Sequence, residues 1–252
     1  KFNSKKMVDI EKIVPGIMKT ITSVSKEDNQ AFRKVVPSLI RKGIDNTNLD
    51  MFNEVAKKIL LNAAGEEYIK KGRIPEAIKA FTLTGNKTKL SEIGDYYTNI
   101  GLFEQAIDVY IVAENNEKLI LTGDKCLKEG RISEAIKAFI SAGEREKLSK
   151  VGDECIEKQK IDFAIEIFAA LNDTRKLIKL GDLCFKNGEL KDAAKTFKLA
   201  EDYDKLNMIG DTFLKEDSLP EALFVYEQAG NESMIRFIKE NFSEEIEKRI
   251  QR

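Results

Sequence analysis

The chain contains no histidine and no tryptophan among its 252 residues. Without an imidazole, Ser-His-Asp and Cys-His catalysis and histidine-zinc sites are all excluded. Cysteine is scarce: three residues, too few and too widely spaced for a disulfide framework, and odd in number. No apolar run approaches the roughly 20 residues that cross a bilayer. Lys1 to Lys12 has no apolar stretch of the secretory-signal kind. A soluble chain of the reducing cytoplasm is therefore expected. Net charge is lacking too, because 42 Lys and Arg face 43 Asp and Glu and leave -1. A general nucleic-acid binder needs a basic surface to displace phosphate counterions, so this balance argues against that class. Hydrophobic residues at 42% and charged residues at 34% are what a chain with a buried core carries.

What is present in abundance is repetition. Gly65, Gly94, Gly123, Gly152, Gly181 and Gly210 fall 29 residues apart without an insertion. An acid follows each: Glu66, Asp95, Asp124, Asp153, Asp182 or Asp211. Four residues before each Gly stands Leu61, Leu90, Leu119, Leu148, Leu177 or Leu206. Twelve after it comes Ala77, Ala106, Ala135, Ala164, Ala193 or Ala222, and sixteen after it Phe81, Tyr110, Phe139, Phe168, Phe197 or Tyr226. Five columns in register over six copies set the fold as a repeat array.

Each unit reads as two helices. Apolar residues at helical spacing, as in Leu119, Cys126 and Leu127, build the first. It stops near Gly72, Gly101, Gly130 or Gly188, where glycine tolerates a left-handed cap. Gln159 and Asp217 replace that glycine in two copies, which predicts a poorer cap. Asn86, Asn115, Asp173, Asp202 and Asn231 stand between units as N-caps, with Glu144 the exception. A glycine in mid-helix costs about 1 kcal/mol of propensity against alanine. Its recurrence implies a paired helix too close for a side chain, with Ala opposite and the aromatic ring filling the gap between units. Such hairpins close their core only by stacking.

The pattern Leu61, Gly65, Tyr68, Gly72, Ala77 and Phe81 resembles the tetratricopeptide repeat, over roughly residues 58 to 240. That family repeats every 34 residues and this chain every 29, the missing residues falling after the aromatic. The segment from Gly123 to Gly130 also looks like the short hairpins of vesicle-coat and intraflagellar-transport proteins. The resemblance implies an all-α right-handed superhelix, an inner face lined by the first helices, and protein binding there. Around the six repeats (58–231), residues 1–57 read as a divergent N-terminal helical cap and 232–252 as C-terminal capping helices. Met7, Ile10, Val14, Ile17, Ile21 and Val24 form an amphipathic pattern that could also self-associate. Residues 1–58 hold 12 basic and 7 acidic side chains and the remainder 30 and 36, so the charges are +5 and -6. A second, short helix is expected to open at Ser243.

Three constellations suggest chemistry. Cys126, Cys155 and Cys184 occupy one repeat position that Tyr68, Tyr97 and Phe213 hold elsewhere, which marks it as core and not as a metal site. The acidic column reads as scaffold, with Glu66-Lys70, Asp124-Lys128, Asp182-Lys186 and Asp211-Lys215 as i,i+4 pairs. Gly85-Asn86-Lys87-Thr88 lacks the upstream glycine of a phosphate loop. Partner contact is expected on the face the resemblance makes inner, at Asn62, Ile69, Ile120, Asp124, Leu127, Lys128, Ile178, Asp182, Phe185 and Lys186. Lysine is missing before the Gly, and acids stand where relatives gripping a C-terminal carboxylate use Asn, so that clamp is not expected.

The expectation is thus a non-enzymatic interaction scaffold or assembly adaptor without cofactor or metal, binding a peptide or partner helix. An RNA reader is the alternative, opposed by the net -6 of residues 59–252. An accessory part of a larger chain or complex is the remaining reading.

Overall fold

The computed structural model describes residues 36, 37, 39–49 and 52–250. The amphipathic pattern from Met7 to Val24 lies outside the described residues. Among those described the protein is all α-helix, in two compact units that divide between Ala142 and Gly143.

Unit 1 holds three hairpins: α1 (Glu54–Lys70) with α2 (Ile74–Thr84), α3 (Lys87–Asn99) with α4 (Phe103–Val112), and α5 (Asn116–Lys128) with α6 (Ile132–Ala142). Unit 2 repeats the plan: α7 (Arg145–Glu157) with α8 (Ile161–Ala170), α9 (Thr174–Lys186) with α10 (Leu190–Leu199), and α11 (Tyr203–Lys215) with α12 (Leu219–Ala229). The last helix, α13 (Glu232–Ile250), packs on α12. Within each unit every hairpin also packs on the next, giving a helical repeat. At the start of unit 1, Val36, Leu39 and Ile40 are buried in one cluster with Ala64, Tyr68, Ala77 and Phe81.

The recurrent glycine has a specific steric cause. A Cβ on any of the six would find the nearest ring carbon of the aromatic sixteen residues later no farther than 2.8 Å away. The ring therefore lies on the bare backbone of its own hairpin. It also meets the next hairpin as expected, since Phe81 clusters with Leu90 and Ile93 and Tyr110 with Leu119. The six rings are at most 2% exposed and the six alanines 0%, so ring, glycine and alanine form one sealed contact per hairpin.

Both turns of each hairpin use the left-handed region. At the first, Gly72, Gly101, Gly130 and Gly188 have φ of 71–80°, and Gln159 and Asp217 adopt 55° and 59°. The expected poorer cap is not seen in the hydrogen bonds. Lys160 N–H donates to the Cys155 carbonyl at 2.8 Å, as Arg73 N–H donates to that of Tyr68 at 2.9 Å. The penalty lies in backbone strain, about 1–2 kcal/mol for a residue with a Cβ, against which glycine gives back about 0.4–1 kcal/mol in the unfolded chain. Gln159→Gly is accordingly expected to raise stability by about 0.5–1 kcal/mol. An unchanged or lower urea midpoint would contradict that account.

The N-caps form as expected. Asn86, Asn115, Asp173, Asp202 and Asn231 each accept an amide hydrogen bond from the residue three ahead at 3.0–3.2 Å. Glu144 makes no side-chain cap bond. The C-terminal expectation is corrected, because α13 runs unbroken through Ser243 for 19 residues. No Gly or Pro interrupts it, and buried Ile238 and Ile246 lie two turns apart on one stripe.

Candidate interaction faces

The first helices carry the expected contact residues. Asn62 and Ile69 lie on α1, Ile120, Asp124, Leu127 and Lys128 on α5, and Ile178, Asp182, Phe185 and Lys186 on α9. Every one is at least partly exposed. Those on α1 and α5 belong to unit 1 and those on α9 to unit 2.

The column three residues before the glycine faces the seam to the next hairpin. Asn62 Oδ1 accepts from Asn86 Nδ2 at 2.7 Å and from Thr84 Oγ1 at 3.2 Å, while its Nδ2 donates to the Lys58 carbonyl at 2.8 Å. Asn115 Nδ2 donates to Ser91 Oγ at 3.0 Å, and Asn231 Nδ2 to Asn207 Oδ1 at 2.8 Å. The cap asparagine thus uses its oxygen for its own helix and its amide for the preceding hairpin. Asn62 is accordingly engaged within the chain. Ile178, in the same column, borders the turn at Ala200–Asp204.

The acids behave differently from the expected i,i+4 pairs. Asp182 pairs with Lys205 of the next hairpin and not with Lys186. Lys70 pairs with Glu67 at 3.4 Å. Asp95 meets Lys118 at 2.9 Å and Asp153 meets Lys176 at 2.7 Å, again across a seam. Lys118, Lys176 and Lys205 stand 24 residues after a glycine, in a lysine column that Met234 ends; Lys89 of the same column pairs with Glu92 at 2.6 Å. That spacing was in the sequence, and only the fold makes it a neighbour. Lys176 and Lys205 also lie over the Phe168 and Phe197 rings, at 5.0 and 5.3 Å. Where the ring is tyrosine its hydroxyl donates to the acid: Tyr110 to Asp95 at 2.7 Å and Tyr226 to Asp211 at 2.5 Å. For Asp95, partial burial works to raise the carboxyl pKa, but the bonds from Lys118 and Tyr110 outweigh it and hold it low. These exposed pairs contribute about 0–1 kcal/mol each and set register more than stability.

Large apolar side chains remain uncovered beside these pairs. Met208 is 52% exposed and lines a small cleft of about 140 Å³ in unit 2 with Asp182, Phe185 and Lys205. Leu121, 56% exposed, borders a cleft in unit 1 with Asp95, Thr98 and Lys118. Neither residue was among the expected contacts, although the signal was present: they sit two residues before the glycine, in a column otherwise filled by Ala63, Glu92, Lys150 and Lys179, so each is a large apolar residue where charge is the rule.

The three cysteines are free and at most 2% exposed. Burial pushes the Cys126 thiol up to about 11 and that of Cys184 to about 12, and raises Cys155 as well. Thiols held protonated in this way are poor nucleophiles.

No protein-family model matches the chain, and no curated protein matches it. A solved structure it resembles is described as a "Circular tandem repeat protein with novel repeat topology and enhanced subunit contact surfaces". The identity is 16% and the TM-score 0.14, over 90% of this chain and 51% of that one. The chain thus spans about half the length of that protein, and a likeness of this size carries no argument about function. Among the described residues, no helix is long and apolar enough to cross a membrane.

Proposed function

We propose that the protein is a non-enzymatic interaction scaffold or assembly adaptor of tetratricopeptide-like character, working in a reducing cytoplasm. The observation that supports this reading best is Met208, half exposed beside Phe185 and the Asp182–Lys205 pair. An apolar side chain framed by a fixed acid and base suits an extended peptide or a partner helix, with the rim charges setting orientation. Leu121 beside Asp95 and Lys118 offers the same combination in unit 1.

The test is affinity capture from the source cell's extract, with and without nuclease, using the natural chain and a Phe185→Lys, Met208→Lys variant. A stoichiometric protein that survives nuclease and is lost in the variant is the expected result. Capture that disappears with nuclease would replace the scaffold reading by RNA binding. Retention of the same partner by the variant would move the contact off this face.

A further inference from the structure

The second helices of the six hairpins also follow columns, and the fifth and sixth copies break two of them at one place. Thirteen residues after the glycine stand Ile78, Ile107, Ile136 and Ile165, then Ala194 and Leu223. One residue later the column reads Lys79, Asp108, Lys137, Glu166 and Lys195, then Phe224. The fifth copy has therefore lost the bulk that isoleucine places on α10. The sixth shows an aromatic ring where every other copy is charged.

The two departures meet. A groove of about 550 Å³ opens between α10 and α12, floored by Ala194, Leu206, Phe213 and Val225. Phe224 stands on its edge, 61% exposed. Lys191, Lys195 and Lys198 line its α10 wall at i, i+4 and i+7, against Glu221 alone among acids of the lining. Lys195 reaches Asp162 at 3.3 Å and Lys198 bonds the neutral Gln228, but both are exposed, so the wall stays basic toward solvent. The groove runs along helices of 10 and 11 residues, about 15 Å, which is some three turns of a helix laid into it.

We propose that this groove docks an acidic amphipathic helix of a partner protein, whose apolar ridge fills the notch at Ala194 while its carboxylates meet the three lysines. Charge chooses the occupant. The amphipathic pattern of this chain or of a second copy, Met7 to Val24, is net zero, with Lys12 and Lys19 against Asp9 and Glu11, and residues 1–35 around it are net +4 with 8 basic and 4 acidic residues. Neither brings the negative charge that the lysine wall favours, and the basic flanks are repelled by it. The proposal rests on the scaffold reading above but uses the second-helix side, separate from Phe185 and Met208.

The experiment places photo-reactive benzoylphenylalanine at position 224 of the full chain in its source cell and maps the cross-linked peptide. The expected product is a segment of another protein with apolar residues at i, i+3 or i+4 and i+7 and a net negative charge. Ala194→Ile should abolish the cross-link and still fold, since four other copies carry isoleucine there. The mapped segment, as a synthetic peptide, should bind the purified chain at least tenfold more weakly after Lys191→Glu, Lys195→Glu and Lys198→Glu. A charge-reversed peptide should recover the lost affinity. No cross-link, a cross-link to this chain's own sequence or to a basic segment, or one that survives Ala194→Ile would each overturn the proposal. Capture through Phe185 and Met208 in the absence of cross-linking would reject this groove alone and leave the scaffold reading standing. Failure of both would reject both.

Discussion

Gly181→Ala is expected to lower stability by about 1–3 kcal/mol, although helix propensity alone favours alanine by about 1 kcal/mol. The added Cβ would lie 2.5 Å from Phe197 Cε1 and 2.8 Å from its Cδ1. Phe197 is 2% exposed, so its ring has little free space into which to withdraw. Steric overlap in a closed core therefore wins over propensity. Phe197→Ala should lose about 3–5 kcal/mol as a truncated buried ring. In the double variant the two effects are coupled, because removing the ring makes room for the methyl group. The combined loss should fall short of the sum by at least about 1 kcal/mol. Urea midpoints of the four proteins test this, and simple additivity would show that the glycine answers to something other than its ring.

Raising the pH above about 9 is expected to erode stability steadily, through the buried thiols first. An unfolded cysteine ionises near 9.0, whereas burial holds folded Cys126 near 11 and Cys184 near 12. Below pH 9 both states keep their protons, and the full stability is present. Between about 9 and 12 only the unfolded chain releases them, at about 1.4 kcal/mol per pKa unit of difference for each thiol. Tyr110 and Tyr226, also raised by burial and by their bonds to Asp95 and Asp211, add to the loss above pH 10. Urea midpoints at pH 7, 9 and 10.5, read beside thiol labelling, should fall while labelling accelerates. A Cys126→Ala, Cys155→Ala, Cys184→Ala variant should show a shallower decline. Equal slopes in the two proteins would remove the thiols from the explanation.

The 29-residue period determined most of this architecture by itself. A ring, a glycine and an alanine recurring at fixed offsets have one common packing solution, repeated in hairpin after hairpin. Helix ends were equally legible, since Asn86 or Asp173 can satisfy an orphan amide from its own side chain. Those are local or near-local constraints, and sequence spacing carries them. What lay beyond the sequence was which columns become neighbours across a seam. Asp182 and Lys205 are 23 residues apart, and only the packing of one hairpin on the next, α10 against α11, sets Lys205, rather than Lys186, against the acid. The same holds for Ala194 and Phe224. Each is an unremarked departure in its own column, and they become one groove because α10 and α12 lie side by side. Short-range hydrogen bonding and steric fit were written in the period, while surface chemistry depended on which faces the tertiary packing left uncovered.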